Sequence, residues 1–347
     1  MILNFRPAMA GPRNRKPMTD IAHNKSSKPR PGLFRVRQIL DNVEAKPVSV
    51  ITAEPVSLNA MPSKRFYFLL MAPAILLLAF ISLYPFFWMI YMSLHNVEMN
   101  ATTWNNFKNF TDLFSDTRYL YGWVLLFKYS LICLVLQIGI GVFLAVSLNG
   151  SRFEKVLVTT MLMPMMMAPI VAGLVWYFLY NGTFGWYHWL LQSVGILGPK
   201  SILASTGTAM MGIVIVDVWQ WTPLITLITL AGLKRVPQDQ MEANMVDGAS
   251  PIRNFISVTL PNLYPVLLIA IMLRFMDNFR FIDSALVLTG GGPGNSTKIL
   301  PIYLFEVSFK FFKLGRGAAI ALTLLVVTIV LGMILVKVFD RQQTKKA

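Results

Sequence analysis

Long apolar runs alternate with short polar interruptions along this chain, and six of the runs reach the length of a membrane-crossing helix. They are Phe66 to Leu94, Trp123 to Leu148, Val156 to Tyr180, Ala209 to Leu230, Leu263 to Leu288 and Gly317 to Val336. A hydrocarbon core of roughly 30 Å takes about 20 helical residues, and a backbone in lipid must satisfy its own hydrogen bonds. Uninterrupted runs of this length are too long for barrel strands. The pattern therefore predicts an all-α polytopic membrane protein with six transmembrane helices, spanning residues 66 to 338 between a polar segment 1–65 and a short tail 339–347.

Composition agrees, with 55% hydrophobic and 14% charged residues among 347, more apolar surface than a soluble core needs. The net charge of +15 could mark a nucleic-acid binder, but its distribution explains it otherwise. With the amino terminus placed inside, 21 Lys/Arg fall in segment 1–65, the inside loops and the tail, against seven in the outside loops. That is the positive-inside bias, which sets both termini in the cytoplasm and leaves no reason to expect nucleic acid.

Segment 1–60 is Pro-rich and basic, a composition that cannot bury enough surface to order itself and that suits contact with anionic membrane lipid. Met61-Pro62-Ser63-Lys64-Arg65, directly before the first run, has the form of a translation start, so the mature chain is expected to begin at Met61 or Met18. Cys133 is the single cysteine and excludes an internal disulfide. The three histidines stand apart with no metal-ligand spacing.

The polar interruption after the fourth run has its own local structure. Pro237 suits the first turn of a helix over Gln238 to Val246; Asp247-Gly248 stops it through a left-handed glycine. Ser250 then caps a second helix with Pro251 in its first turn, running to about Thr259. Leu260-Pro261 and Pro265 redirect the chain into the fifth run. The product is a helical elbow standing off the membrane.

Within that elbow, Glu242-Ala243, Gly248, Val258, Leu260 and Pro261 follow the spacing of the "EAA" loop, and the chain resembles the permease subunits of binding-protein-dependent ABC importers. Asn244 stands where the family has Ala. The match continues in Trp219-Gln220-Trp221-Thr222-Pro223, in Trp104 to Leu113, and in the run Thr289-Gly290-Gly291-Gly292-Pro293-Gly294-Asn295-Ser296-Thr297, which looks like the outer loop of the sugar-importing branch, the maltose and glycerol-phosphate type permeases. The resemblance implies a bacterial inner-membrane subunit whose elbow at 232–262 couples to an ATPase through Glu242, Ala243, Asp247, Gly248, Ala249, Leu260 and Pro261. It implies as partners a second homologous permease, two ATP-binding subunits and an extracytoplasmic solute-binding protein, with a sugar, polyol or glycerol-phosphate-like solute. No cofactor is implied, and no ATPase site belongs to the chain, since a phosphate loop needs a Gly-Lys pair that the sequence lacks. The competing class is an ATP-independent secondary transporter or channel, which the coupling elbow and the lack of an evident internal repeat disfavour.

Arg274, Asp277, Arg280 and Asp283 alternate in sign every three residues along the fifth run, a spacing that lets neighbours pair. Counted from the outer helix ends, Asp217 and Arg280 lie at equal depth and are expected to meet. Charges so placed either lock spans together or line the solute pathway. Gly139, Gly141 and Ala145 are expected to admit a close helix neighbour. Trp176, Tyr177, Tyr180, Trp186 and Tyr187 read as an outer aromatic belt.

Overall fold

The structure, a computed structural model, describes residues 64–98, 101–196 and 198–343. The two possible start methionines, the basic segment to residue 63 and His23 lie outside these. Two compact units divide the chain, Met1–Met71 and Ala72–Ala347. The first contributes the opening turns of α1 (Lys64–Ser93), a helix with Pro73 and Pro85 inside it.

A two-stranded hairpin follows, β1 (His95–Glu98) antiparallel to β2 (Ala101–Trp104) with His95 opposite Trp104. Next come the short α2 (Lys108–Phe114) and α3 (Thr117–Leu148). Asp116 caps α3 by accepting from the Arg118 amide at 2.9 Å, which satisfies a free amide of its first turn. The third run forms two helices, α4 (Glu154–Met166) and α5 (Pro169–Leu179), followed by α6 (Trp186–Ser193). Then come α7 (Ala209–Leu233), α8 (Gln238–Val246), α9 (Pro251–Arg280), α10 (Asp283–Thr289), α11 (Leu300–Phe305) and α12 (Leu314–Gln343).

Five of these helices are long and apolar enough to cross a membrane, and six if the bent pair α4 and α5 counts as one span. The all-α class therefore stands, with a small hairpin added. The last helix continues to Gln343, past the expected boundary at 338.

Two expected spans are not single helices. Between α4 and α5 the axis turns by 96°, because Pro169 pushes Ala168 out of the helical region, to ψ 134°. The carbonyl freed at Met167 is recovered by the Gln220 side-chain amide at 2.9 Å, and the Ser284 hydroxyl donates to the Pro169 carbonyl at 2.9 Å at the start of α5. The fifth run ends its helix at Arg280 and resumes at Asp283, with Phe281 extended at ψ 119°. Asp283 thus opens a separate helix and lies outside the charge ladder.

The core joins α3, α7 and α9. Leu126, Tyr129, Cys133, Ile213, Val216 and Phe279 fill one cluster, and Ala145, Leu230, Leu233, Leu263 and Leu267 a second. Gly141 makes the α3–α7 approach possible: a Cβ there would stand 2.7 Å from the Ile225 side chain. Gly139 meets nothing within 4 Å, so Gly141 and Ala145 do the packing within this chain.

Candidate coupling elbow and buried polar network

In the elbow, α8 covers Gln238–Val246 as expected, with Pro237 one residue earlier, at the cap. Gly248 has φ +81° with open space around its Cα, so its requirement is conformational and not steric. Ser250 caps the second helix, its hydroxyl accepting from the Arg253 amide at 3.3 Å, with Pro251 at its start.

Leu260 and Pro261 do not redirect the chain. The helix runs through them from Pro251 to Arg280, because Phe255–Thr259 widens into a π turn in which the Leu260 amide donates to the Phe255 carbonyl. A proline has no amide to donate and its ring crowds the carbonyl four residues back; the wider turn relieves both. Leu260 packs on the inner cluster while Pro261 is exposed. The second arm is therefore a rigid extension of a membrane span, and only α8 is a separate piece.

Asn244 explains how that piece is held. Its side-chain amide donates to Asn254 Oδ1 at 2.9 Å and Ser257 Oγ at 3.0 Å, while Asn254 Nδ2 donates to the Met241 carbonyl at 3.3 Å. An alanine at 244 could make neither of the first two bonds, while the Asn254 to Met241 bond does not depend on that side chain. Glu242, Ala243, Asp247 and Gly248 are exposed and Ala249 is half-buried. Val246 is 87% exposed and Ile252 74%, with Met245 and Ile256 also open. Asn244→Ala is expected to loosen α8 by about 1 kcal/mol, the net worth of one or two partly wet hydrogen bonds. Faster amide exchange over 238–249 would report it, and unchanged exchange would remove the staple.

The intramembrane charges pair differently from the expectation. Arg274, 1% exposed, directs Nη2 to both oxygens of Asp217 at 3.0 and 3.2 Å. Its Nε donates to Gln137 Oε1 at 3.1 Å, and its Nη2 also reaches Asn278 Oδ1 at 2.8 Å. Gln137 Nε2 donates back to Asp217 Oδ2 at 2.8 Å, closing a ring of bonds between α3, α7 and α9. The Trp221 ring lies under the guanidinium, 4.8 Å from its centre. Arg280 instead takes Asp277 at 2.7 Å and is 76% exposed, and Arg274 approaches Asp277 at 3.8 Å. The equal-depth count failed because α9 ends at Arg280, which places that residue at a helix end. Arg274 lies six residues deeper, about 9 Å along the axis. Asp283 is exposed.

Gln137 and Asn278 were missed in the sequence, although each is a polar interruption of an apolar run. The aromatic belt also divides. Trp176, Tyr180 and Tyr187 pack against one another in tilted and edge-on pairs, and Trp176 meets Trp219 edge-on, with centroids 5.1–5.6 Å apart. The Tyr180 hydroxyl donates to the Gly212 carbonyl at 3.0 Å. Trp176 and Tyr180 belong to the core, Tyr187 packs half-buried against it, and Tyr177 and Trp186 stay exposed. In the glycine-rich loop, Gly290 and Gly291 take φ +56° and +94°. Thr297 Oγ1 donates to the Gly292 carbonyl at 2.7 Å, and the Gly291 amide donates to Thr289 Oγ1. The loop, Thr289 to Thr297, is folded on itself.

A model of the family described as binding-protein-dependent transport system inner membrane component matches residues 137–345. The trehalose/maltose transport system permease protein MalF of Thermococcus litoralis is 35% identical over 231 residues, 66% of this chain and 77% of that protein. The trehalose transport system permease protein SugA of Mycobacterium tuberculosis is 29% identical over 286 residues, 81% of this chain and 91% of that one. Among solved structures, a bacterial ABC transporter involved in the import of the acidic polysaccharide alginate superposes with a TM-score of 0.70 at 15% identity, covering 80% of this chain and 96% of that chain. That likeness is one of fold.

Proposed function

This chain belongs to the binding-protein-dependent transport system inner membrane components, and from that premise we propose that it forms half of the pathway of an importer for a sugar, polyol or glycerol-phosphate-like solute. It is a multi-pass inner-membrane permease subunit of an ABC importer. Its partners in this reading are a second homologous permease, two ATP-binding subunits and an extracytoplasmic solute-binding protein, with ATP hydrolysed on the partners and both termini cytoplasmic.

The observation that carries the reading is the face of the elbow. Met245 and Val246 on α8 and Ile252 and Ile256 at the start of α9 are apolar side chains left exposed, and Glu242, one turn before Met245 and Val246 on α8, is exposed with them. Water would not leave such a patch bare on a finished surface. A groove on an ATPase subunit would cover it, with Glu242 making a charge-assisted contact and Ala243 keeping the helix thin enough to enter.

The relatives' names, with the run Gly290-Gly291-Gly292-Pro293, support a sugar-like solute. Asp217 and Arg274 are occupied with each other and hold spans together. Asp277, Arg280 and Asp283 retain exposure and are the groups able to meet solute hydroxyls. Arg280→Gln is expected to leave folded yield unchanged and raise the KM for uptake several-fold, roughly the loss of one charge-assisted hydrogen bond; reduced yield with unaltered KM would return Arg280 to a structural role.

Mass spectrometry of what co-purifies with the tagged chain in mild detergent tests the assembly. A second permease and an ATPase are expected. Recovery of the chain alone, still active in uptake without ATP, would overturn it in favour of a secondary transporter.

A further inference from the structure

At the amino-terminal ends of α3 and α12 lies a cavity of 370 Å³ lined by Arg118, Tyr303, Val307, Phe311, Lys313 and Arg316. We propose that it binds the phosphate group of an anionic membrane phospholipid.

The charge count comes first. Three cations line this wall against one carboxylate, Asp116, which lies behind them with its side chain 8% exposed. Asp116 accepts from the Tyr303 hydroxyl and from Arg316 Nη2, and stands 3.6 Å from Arg118 Nε. Burial pushes that carboxyl up, but the Tyr303 hydroxyl, the Arg118 amide and the two guanidiniums outweigh it and hold it below the ordinary carboxylate range. It is ionised at neutral pH, and its oxygens are fully engaged. Among the described residues no carboxylate lies within ion-pair distance of Lys313, and Arg316 Nε is buried with no hydrogen-bond partner. The pocket therefore holds a surplus of about two positive charges and an unused donor.

Position supplies the second argument. Two spanning helices begin here, so the cavity lies at a membrane–water boundary, and their amino-terminal dipoles add to the positive field. Lys and Arg at this end also run against the positive-inside bias, which places them on the other face; an anion supplied by the membrane offsets that cost. Phe311 lines the cavity and is exposed, and Phe309, Phe312 and Leu314 of the same segment are exposed as well. Exposed phenyl rings beside paired cations suit a head group with acyl chains attached, whereas a small hydrated anion would gain nothing from the rings.

The full chain, purified with its co-purifying subunits, delipidated and placed in nanodiscs, would be titrated by native mass spectrometry. Phosphatidylglycerol, phosphatidylcholine and inorganic phosphate are the probes. Saturable retention of phosphatidylglycerol over phosphatidylcholine is expected, weakening about fivefold for each cation removed in Arg118→Gln and Lys313→Gln. Both side chains are exposed, and an unchanged melting midpoint in the variants without lipid would show that the fold is kept. Equal retention of the two lipids, full phosphatidylglycerol binding by the double variant, or saturation by inorganic phosphate alone would each overturn the proposal, the last by identifying a free-anion site.

Discussion

Asp217→Asn is expected to cost about 3–5 kcal/mol, the usual penalty for leaving one member of a buried ion pair without its partner. Against a total stability of roughly 5–15 kcal/mol, that loss is enough to collapse the yield of monodisperse protein. Arg274 is the reason: at 1% exposure it has no water to turn to, its remaining hydrogen-bond acceptors, Gln137 and Asn278, are neutral, and the Asp277 carboxylate stands off at 3.8 Å and is shared with Arg280. The rescue identifies the partner. Adding Arg274→Met should restore much of the lost thermal midpoint, because an apolar replacement of a buried pair is often neutral, whereas adding Arg280→Gln should restore none. Asn278→Ala removes only weak bonds to Ser130 at 3.4 Å and one to Arg274, so its cost should stay near the ~0.6 kcal/mol typical of interhelical hydrogen bonds in membranes. A single Asp217→Asn variant with wild-type yield and midpoint would show that the ring of bonds does not hold the spans.

Gly248→Pro should abolish solute uptake while ATP hydrolysis by the assembled complex continues. Proline fixes φ near −65°, and the chain leaves α8 at φ +81°, so the exit must be rebuilt and the faces of Val246 and Ile252 can no longer be presented together. Nothing lies within 4 Å of a Cβ at this position, so a Cβ alone meets no neighbour, while proline also removes the amide that donates to the Met245 carbonyl at 3.0 Å. A graded series separates the causes. Gly248→Asn, which visits the left-handed region readily, should keep most of the uptake. Gly248→Val should pay about 1–2 kcal/mol, a factor of roughly 5–30 in the population of the native elbow. Full uptake in Gly248→Pro, or damage in Gly248→Asn equal to that in Gly248→Pro, would count against coupling through this turn.

The apolar runs, the positive-inside bias and the elbow motifs were all legible before any coordinates, because each depends on neighbours within a few residues or on bulk composition. Ser250 caps, Gly248 stops a helix and Pro251 opens one wherever they stand, and the structure places all three in those roles. The break in the third run was also visible in principle: Pro169 restrains Ala168 locally, but hydropathy stays high across it and conceals the turn. What no local rule could decide is which group meets which across the bundle. The π turn at Phe255–Thr259 let Pro261 remain in a helix, and the early end of α9 moved Arg280 out of reach of Asp217. Arg274 became the partner because α3, α7 and α9 converge on it. Sequence by itself determined the apolar runs, the family and the helix stop and cap at Gly248 and Ser250. Only the tertiary structure decided the pairing of the buried charges, the Asn244 staple and the division of the aromatic residues between core and surface, since these depend on where helices end and which faces they turn to one another.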